Sequence, residues 1–218
     1  MKFTNFVKYK DLDKIDGARL AHFEYADRLR EKGKLAIGGP LVDQDRRIGL
    51  LFIYEAVSRD EAMTLVQEDP FTLAGALKSS EISEWRFRGA NHAEHEDGNE
   101  VGKVRLFANN AKYTADKSRL AAVRPAHWEY DRALKKIDKM ALAGSVGNDE
   151  GGLFVYNAAS RDEAMSYLMQ DPFALDGVLA NYELLEWVIE GVNPNLFAAD
   201  LSSESTEEVG LERAMPNS

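Results

Sequence analysis

The sequence predicts an α+β protein built from two tandem ferredoxin-like modules, each ordered β-α-β-β-α-β. Three observations carry that expectation. First, Ser58-Arg59-Asp60-Glu61-Ala62-Met63 returns as Ser160-Arg161-Asp162-Glu163-Ala164-Met165, and both copies continue into Asp-Pro-Phe and then Glu-Trp. Residues 58–85 match residues 160–187 at 15 of 28 positions with no gap, at an offset of 102, which marks two related modules on one polypeptide. Second, Arg19, His22, Tyr25 and Leu29 reappear upstream as Arg124, His127, Tyr130 and Leu134 at an offset of 105, so the second copy is three residues shorter between the two matched regions. Third, strand-like and helix-like apolar patterns alternate in the same order in each copy.

Residues 3–9, rich in aromatic and β-branched side chains, read as the first strand. Residues 16–32 read as the first helix, with Leu20, Phe23, Ala26 and Leu29 spaced as an apolar stripe and Gly33 placed to stop it. Residues 35–42 and 48–56 are apolar segments separated by the charged Asp43-Gln44-Asp45-Arg46-Arg47, the pattern of a hairpin with one buried face. The second copy has the shorter Gly147-Asn148-Asp149-Glu150-Gly151 at this tip, and loop tips tolerate such changes. Ser58 and Glu61 occupy the positions of a capping box, repeated by Ser160 and Glu163, and open a short helix reaching about Gln67. Asp69-Pro70-Phe71 breaks and restarts the chain. Ile82, Trp85 and Phe87 then form a closing strand before Gly89. The expected organisation is a first module over 1–89, a polar acidic linker over 90–102, a second module over 103–190, and an acidic, mobile tail over 191–218 from which Phe197 and Leu201 can still dock.

Of 218 residues, 44% are hydrophobic and 29% charged, ordinary values for a soluble globular protein. No apolar run approaches the roughly 20 residues that span a bilayer, so no membrane insertion is expected. The N-terminus lacks the apolar core of a secretory signal, which points to a cytoplasmic home. There is no cysteine, which excludes disulfides, thiolate nucleophiles and Cys-based metal sites. A net charge of -10 argues against nucleic acid, whose phosphates are met by Lys and Arg. A small-molecule substrate is the expected partner, and further assembly of the two-module chain stays open.

The chemistry-bearing residues are those kept in both copies. Only four histidines exist, and His22 and His127 hold the same point of the repeat. Arg19 and Tyr25 lie three residues to either side of His22, on neighbouring turns of one helix face, and Arg124 and Tyr130 do the same around His127. An imidazole of unperturbed pKa about 6.5 gives or takes a proton near neutrality, and arginine offers a fork for a carboxylate. The bland reading is that both histidines are packing residues with one nitrogen satisfied internally. Asp69 and Asp171 open the Asp-Pro-Phe triplets; each either caps the following turn or reaches the histidine to fix its tautomer. His92 and His95, with Glu94, Glu96 and Asp97, have metal-pair spacing but sit in a linker without an ordered surround, and Gly38-Gly39-Pro40 lacks the spacing of a phosphate loop. Glu84-Trp85 and Glu186-Trp187 read as core or interface residues. Neither metal nor organic cofactor is expected.

Arg-x-x-His-x-x-Tyr on the first helix, Gly38-Gly39-Pro40-Leu41 after the second strand, and Asp-Pro-Phe with a terminal Glu-Trp resemble the YCII-related family, and the resemblance covers both modules. It implies a dimeric α+β barrel, related to muconolactone isomerase, in which two ferredoxin-like sheets pack face to face, here as a covalently fused pair. It also implies that His22 with Asp69, and His127 with Asp171, are catalytic pairs; from their spacing on the helix, Arg19, Tyr25, Arg124 and Tyr130 are the expected substrate-binding residues beside them. Family members with an assigned activity include a dehydrochlorinase of chlorinated aromatic degradation, which implies a cofactor-independent lyase or isomerase acting on a small carboxylated aromatic or lactone. The rival is a non-catalytic small-molecule-binding or accessory protein of the same fold; a third reading has one active and one structural copy. The second copy departs from the pattern, with Ala143-Gly144-Ser145-Val146 in place of Gly38-Gly39-Pro40-Leu41, which implies altered specificity or a lost site.

Overall fold

A computed structural model describes residues 1–90 and 105–193. The linker with His92 and His95, and the tail from Pro194 with Phe197 and Leu201, lie outside the described residues. The first half runs β1 (Lys2–Tyr9), α1 (Leu12–Glu31), β2 (Leu35–Asp43), β3 (Arg46–Glu55), α2 (Arg59–Gln67), α3 (Pro70–Leu73) and β4 (Leu77–Ala90). The second repeats it as β5 (Arg105–Tyr113), α4 (Lys117–Lys136), β6 (Met140–Val146), β7 (Gly151–Tyr156), α5 (Arg161–Gln170), α6 (Pro172–Leu175) and β8 (Leu179–Val188), and ends in the short β9 (Gly191–Val192).

Local chemistry sets these boundaries. α1 starts four residues earlier than the apolar pattern suggests, because the Asp11 side chain accepts the Lys14 N–H and caps the helix there. It stops at Gly33, whose φ of +66° is open to glycine, and the second half puts Asp138 there at φ +60°. Gln44 and Asp45 both have positive φ and form a two-residue hairpin loop. Ser58 Oγ accepts the Glu61 N–H, while the Glu61 carboxylate takes the N–H of Val57, one residue further out than in the standard capping box; Ser160, Glu163 and Ala159 repeat this variant.

The strands close into one antiparallel ring, β3-β1-β4-β6-β7-β5-β8-β2, which β2–β3 pairing completes, with β9 beside β2. This is the dimeric α+β barrel architecture within one chain. Two seams join the halves and mirror each other: Trp85↔Val146 and Phe87↔Gly144 in β4–β6, and Leu41↔Trp187 and Val42↔Glu186 in β8–β2. Gly39 permits one seam, since a Cβ there would lie 1.9 Å from the Val188 carbonyl oxygen; Gly144 does the same against Arg86 at 2.4 Å. Gly191 and Val192 pair with Gly38 and Ile37, and the Asn193 N–H donates to the Ala36 carbonyl at 2.7 Å, so the chain from 191 to 193 is docked on the first half.

The barrel interior is filled from both halves by Phe6, Leu41, Leu51, Ile53, Leu106, Leu153 and Leu185 with Trp85 and Trp187. A large buried side chain of this kind contributes about 1.5–3 kcal/mol. The outer sheet faces carry the helices: Phe3, Tyr25, Leu29 and Phe71 belong to the first such core, and Phe107, Leu134, Phe154 and Leu168 to the second. Because the sheet is covered on both sides, residues 35–42 are buried throughout, not on one face as the hairpin pattern suggests. The stripe of α1 also differs from the expected one: Ile15, His22, Tyr25, Ala26 and Leu29 face inward, whereas Leu20 is 78% exposed and Phe23 38%. The inward set keeps helical spacing only when His22 is counted among the apolar residues, so a polar residue hides the true face. Among the described residues, no helix is long and apolar enough to cross a membrane.

Candidate functional site

Each half forms a pocket where its long helix crosses its own sheet, and the mouth is finished by a residue of the other half: Glu190 at the first pocket and Arg88 at the second. Counting their solvent-facing mouths, the open spaces are about 380 and 390 Å³.

His22 lies on the inward face of α1 and is 2% exposed. Its ring stacks on Phe71 at 3.9 Å between centroids and faces Phe52 at 5.5 Å, both at 14°. Nδ1 is 2.9 Å from Asp69 Oδ1. Asp69 is positioned by Pro70, which holds the preceding residue extended (φ -62°, ψ 128°) and occupies the first turn of α3, where a missing N–H costs nothing. The same Oδ1 accepts the Phe71 N–H at 2.8 Å. Asp-Pro-Phe thus supplies a carboxylate for the imidazole, a turn to aim it and a ring to support it. The second half repeats the device: His127 Nδ1 lies 2.9 Å from both oxygens of Asp171, whose Oδ1 accepts the Phe173 N–H at 2.8 Å, and the imidazole stacks on Phe173 at 3.8 Å. With Nδ1 engaged, Nε2 is the nitrogen left to meet a ligand.

Arg19 and Arg47 line the first pocket, Arg19 paired with Asp16 and Arg47 with Glu190 at 3.0 Å. Arg124 and Arg88 line the second; Arg124 pairs with Asp149 at 3.0 Å, and the Arg88 guanidinium lies 4.8 Å from the centre of the Trp128 ring. Tyr25 and Tyr130 are not brought into the pockets. Their hydroxyls donate to the carbonyls of Leu65 at 2.7 Å and Tyr167 at 2.8 Å, tying each long helix to the next one, and burial pushes both phenols up to about 12.

The pocket phenols are instead Tyr9 and Tyr113, at the ends of β1 and β5, each edge-on to the phenylalanine that supports the histidine (6.0 and 5.2 Å). Burial holds both well above the usual phenol range, so each stays a neutral donor. A repeated Lys-Tyr at an offset of 104 was the available signal. Arg47, Glu190, Arg88, Asp149 and Asp131 carry no such signal, because the repeat reverses or removes their charge: Arg88 corresponds to Glu190, Arg47 to Asp149, and Asp131 to Ala26.

Asp131 is the main asymmetry between the sites. It is 8% exposed, and its Oδ2 lies 3.3 Å from His127 Nε2. Burial raises its carboxyl to about 6, against the opposing pull of His127.

The family model of the YCII-related domain matches residues 1–86 and 105–188. A search of curated proteins returned no match. Among solved structures, 5-chloro-2-hydroxyhydroquinone dehydrochlorinase from Burkholderia phenoliruptrix AC1100, in complex with 2,5-dihydroxybenzoquinone, is 31% identical over 40% of this chain and 96% of its own, with a TM-score of 0.36. A mutant chlorite dismutase from Candidatus Nitrospira defluvii is 10% identical, covers 91% of this chain and 94% of its own, and gives a TM-score of 0.59. A heme-binding protein from Thermus thermophilus is 12% identical over 86% and 90%, with a TM-score of 0.54. The last two are likenesses of fold alone.

Proposed function

The chain belongs to the YCII-related domain family over both halves, and on that premise we propose that it is an acid–base enzyme, a lyase or isomerase that moves a proton on a small anionic ring compound such as a carboxylated aromatic or a lactone. The observation that carries this reading is the buried contact of 2.9 Å between His22 Nδ1 and Asp69 Oδ1, made at a histidine that also lines an open pocket. A packing histidine needs no ionised partner behind it and no opening in front.

In the proposed cycle, Asp69 keeps the proton of neutral His22 on Nδ1, so Nε2 is a lone pair facing substrate. Nε2 takes a proton from an acidic C–H; the C–H bond breaks, an N–H bond forms, and Asp69 stabilises the imidazolium. The electron pair left on carbon either expels a leaving group from the neighbouring carbon as an anion, or the imidazolium returns the proton at a conjugated carbon. The first outcome is elimination and the second isomerisation. The Tyr9 hydroxyl is suited to donate to a developing oxyanion. Arg19 and Arg47 supply positive charge for a carboxylate or phenolate, and their exposed ion pairs, worth about 0–1 kcal/mol each, can be exchanged for one to substrate. In the second pocket Arg124 and Tyr113 stand where Arg19 and Tyr9 do and the His127–Asp171 pair is kept, but Asp131 lies against the Nε2 that would take the proton, so the proton transfer is assigned to the first pocket.

The test is turnover of chlorinated hydroxyquinols and of muconolactone-type lactones, followed by halide release and by solvent deuterium entering the product. His22→Gln is expected to lower the rate of the first site by about 10²–10⁴. Unchanged turnover or exchange in the His22→Gln, His127→Gln double variant would sink the proposal in favour of a binding or accessory protein.

A further inference from the structure

Asp131 is not needed for the histidine–aspartate pair, since the first half makes that pair with Ala26 at the corresponding position. It nevertheless places a second carboxylate against the free edge of His127. Taking an ionisable group out of water in this way is costly unless something positive meets it. His127 is already engaged at Nδ1 by Asp171, and the 3.3 Å between Nε2 and Asp131 Oδ2 is long for a hydrogen bond. Asp131 Oδ1 is buried without any hydrogen-bond partner, as is Ser145 Oγ in the same pocket lining. A carboxylate that spends one oxygen on a loose contact and the other on nothing, in a residue only 8% exposed, lacks a ligand.

We propose that the second pocket is a binding site for a divalent transition-metal ion of the Zn²⁺ class, held by His127 Nε2 and Asp131, with Asp171 orienting the histidine from behind. One ligand atom from each of His127, Asp131 and Asp171 falls within 4.8 Å of the others, and all three residues are buried. A ligating histidine almost always donates its other ring N–H to a carboxylate, the relation that Asp171 has to Nδ1. The spacing also fits: with metal–nitrogen and metal–oxygen bonds of about 2.0–2.2 Å, two tetrahedral ligands stand about 3.3–3.5 Å apart, and Nε2 and Oδ2 are separated by 3.3 Å. Among the described residues two protein ligands converge, so the remaining positions open onto the pocket and take water or an oxygen of a bound anion, with Arg88 and Arg124 at its rim. Among the described residues the first half, with Ala26, has no such cluster, which makes it a control within the same molecule.

The experiment is titration of the metal-free full chain with Co²⁺, read by calorimetry and by the visible absorption of tetrahedral Co²⁺, then displacement by Zn²⁺. One saturable site per chain with low-coordinate absorption is expected, weakened at least tenfold in Asp131→Ala, weakened about 10- to 100-fold in Asp171→Asn, and unchanged in His22→Gln. Asp131→Ala introduces the residue type that the first half carries, so its folding is not at issue, and circular dichroism verifies this. No saturable site, a site that survives Asp131→Ala and therefore belongs elsewhere in the chain, or loss in His22→Gln would each overturn the assignment.

Discussion

Asp69 Oδ1 serves two donors at once, His22 Nδ1 at 2.9 Å and the Phe71 N–H at 2.8 Å, so capping and histidine positioning fall on one atom. The two roles separate on substitution. Asparagine caps a helix as well as aspartate but carries no charge to stabilise an imidazolium, so Asp69→Asn is expected to unfold in urea within about 1 kcal/mol of wild type while the first site slows by about 10²–10⁴. Asp69→Ala removes the cap as well and strands a buried ring nitrogen, which costs about 2–4 kcal/mol in the same urea experiment. An Asp69→Asn protein as active as wild type would reduce Asp69 to a cap.

Tyrosine ionisation gives a pH-dependent test of the packing around both sites. Of the eight tyrosines, burial raises Tyr9, Tyr54, Tyr113 and Tyr156 well above the ordinary value, and Tyr25 and Tyr130 to about 12. A phenol whose folded pKa is raised keeps its proton after the unfolded chain has lost it. Stability from these groups is therefore complete below about pH 10 and is lost as pH rises toward 12 and beyond. Phenolate absorbance from these six is expected to rise cooperatively, together with loss of the helical dichroism signal. Six phenols titrating smoothly near pH 10 in a still-folded protein would contradict the buried placement.

Much of this was legible in sequence because the chain states it twice. The repeat located both histidines, both Asp-Pro-Phe turns and the element order, since a residue kept through duplication stands out against one that drifted. The ring closure was carried by the family resemblance, because strand patterns do not say which edges meet. Leu20 and Phe23 misled for a physical reason: an apolar stripe is sought among apolar residues, yet the buried face of α1 runs through His22. Tyr25 misled similarly, as its place beside His22 in the helix suggested a shared site, whereas its hydroxyl is spent on the Leu65 carbonyl. Asp131, Arg88 and Glu190 were hidden because they differ between copies, and a search for what repeats passes over what distinguishes.

Two glycines make a paired test of the seam between halves. A Cβ at Gly39 would sit 1.9 Å from the Val188 carbonyl oxygen, whereas one at Gly17, exposed in the second turn of α1, meets nothing within 4 Å. Gly39→Ala must push β8 away from β2 and is expected to cost about 3 kcal/mol or more, since overpacking against backbone has no side chain to yield. Gly17→Ala is expected to stabilise by about 0.5–1 kcal/mol through helix propensity. Thermal unfolding of both variants checks the pair, and a benign Gly39→Ala would mean that β8 moves off β2 at little cost.

Glu190 and Arg88 correspond in the repeat and each reaches the other half's pocket, so the charge at each mouth is set from across the seam. At the first pocket the carboxylate of Glu190 holds Arg47 at 3.0 Å in an exposed pair. Such a pair adds little stability, about 0–1 kcal/mol, but competes with any anion for the guanidinium. Glu190→Gln is therefore expected to leave the urea midpoint nearly unchanged while tightening 4-fluorobenzoate binding to the first pocket about three- to tenfold, or about 0.7–1.4 kcal/mol, an effect that salt diminishes. Fluorine NMR titration measures it, and the Arg47→Gln, Glu190→Gln double variant is expected to lose the gain. Tightening that persists without Arg47 would place the anion contact elsewhere in the pocket, with Arg19 the remaining cation in its lining.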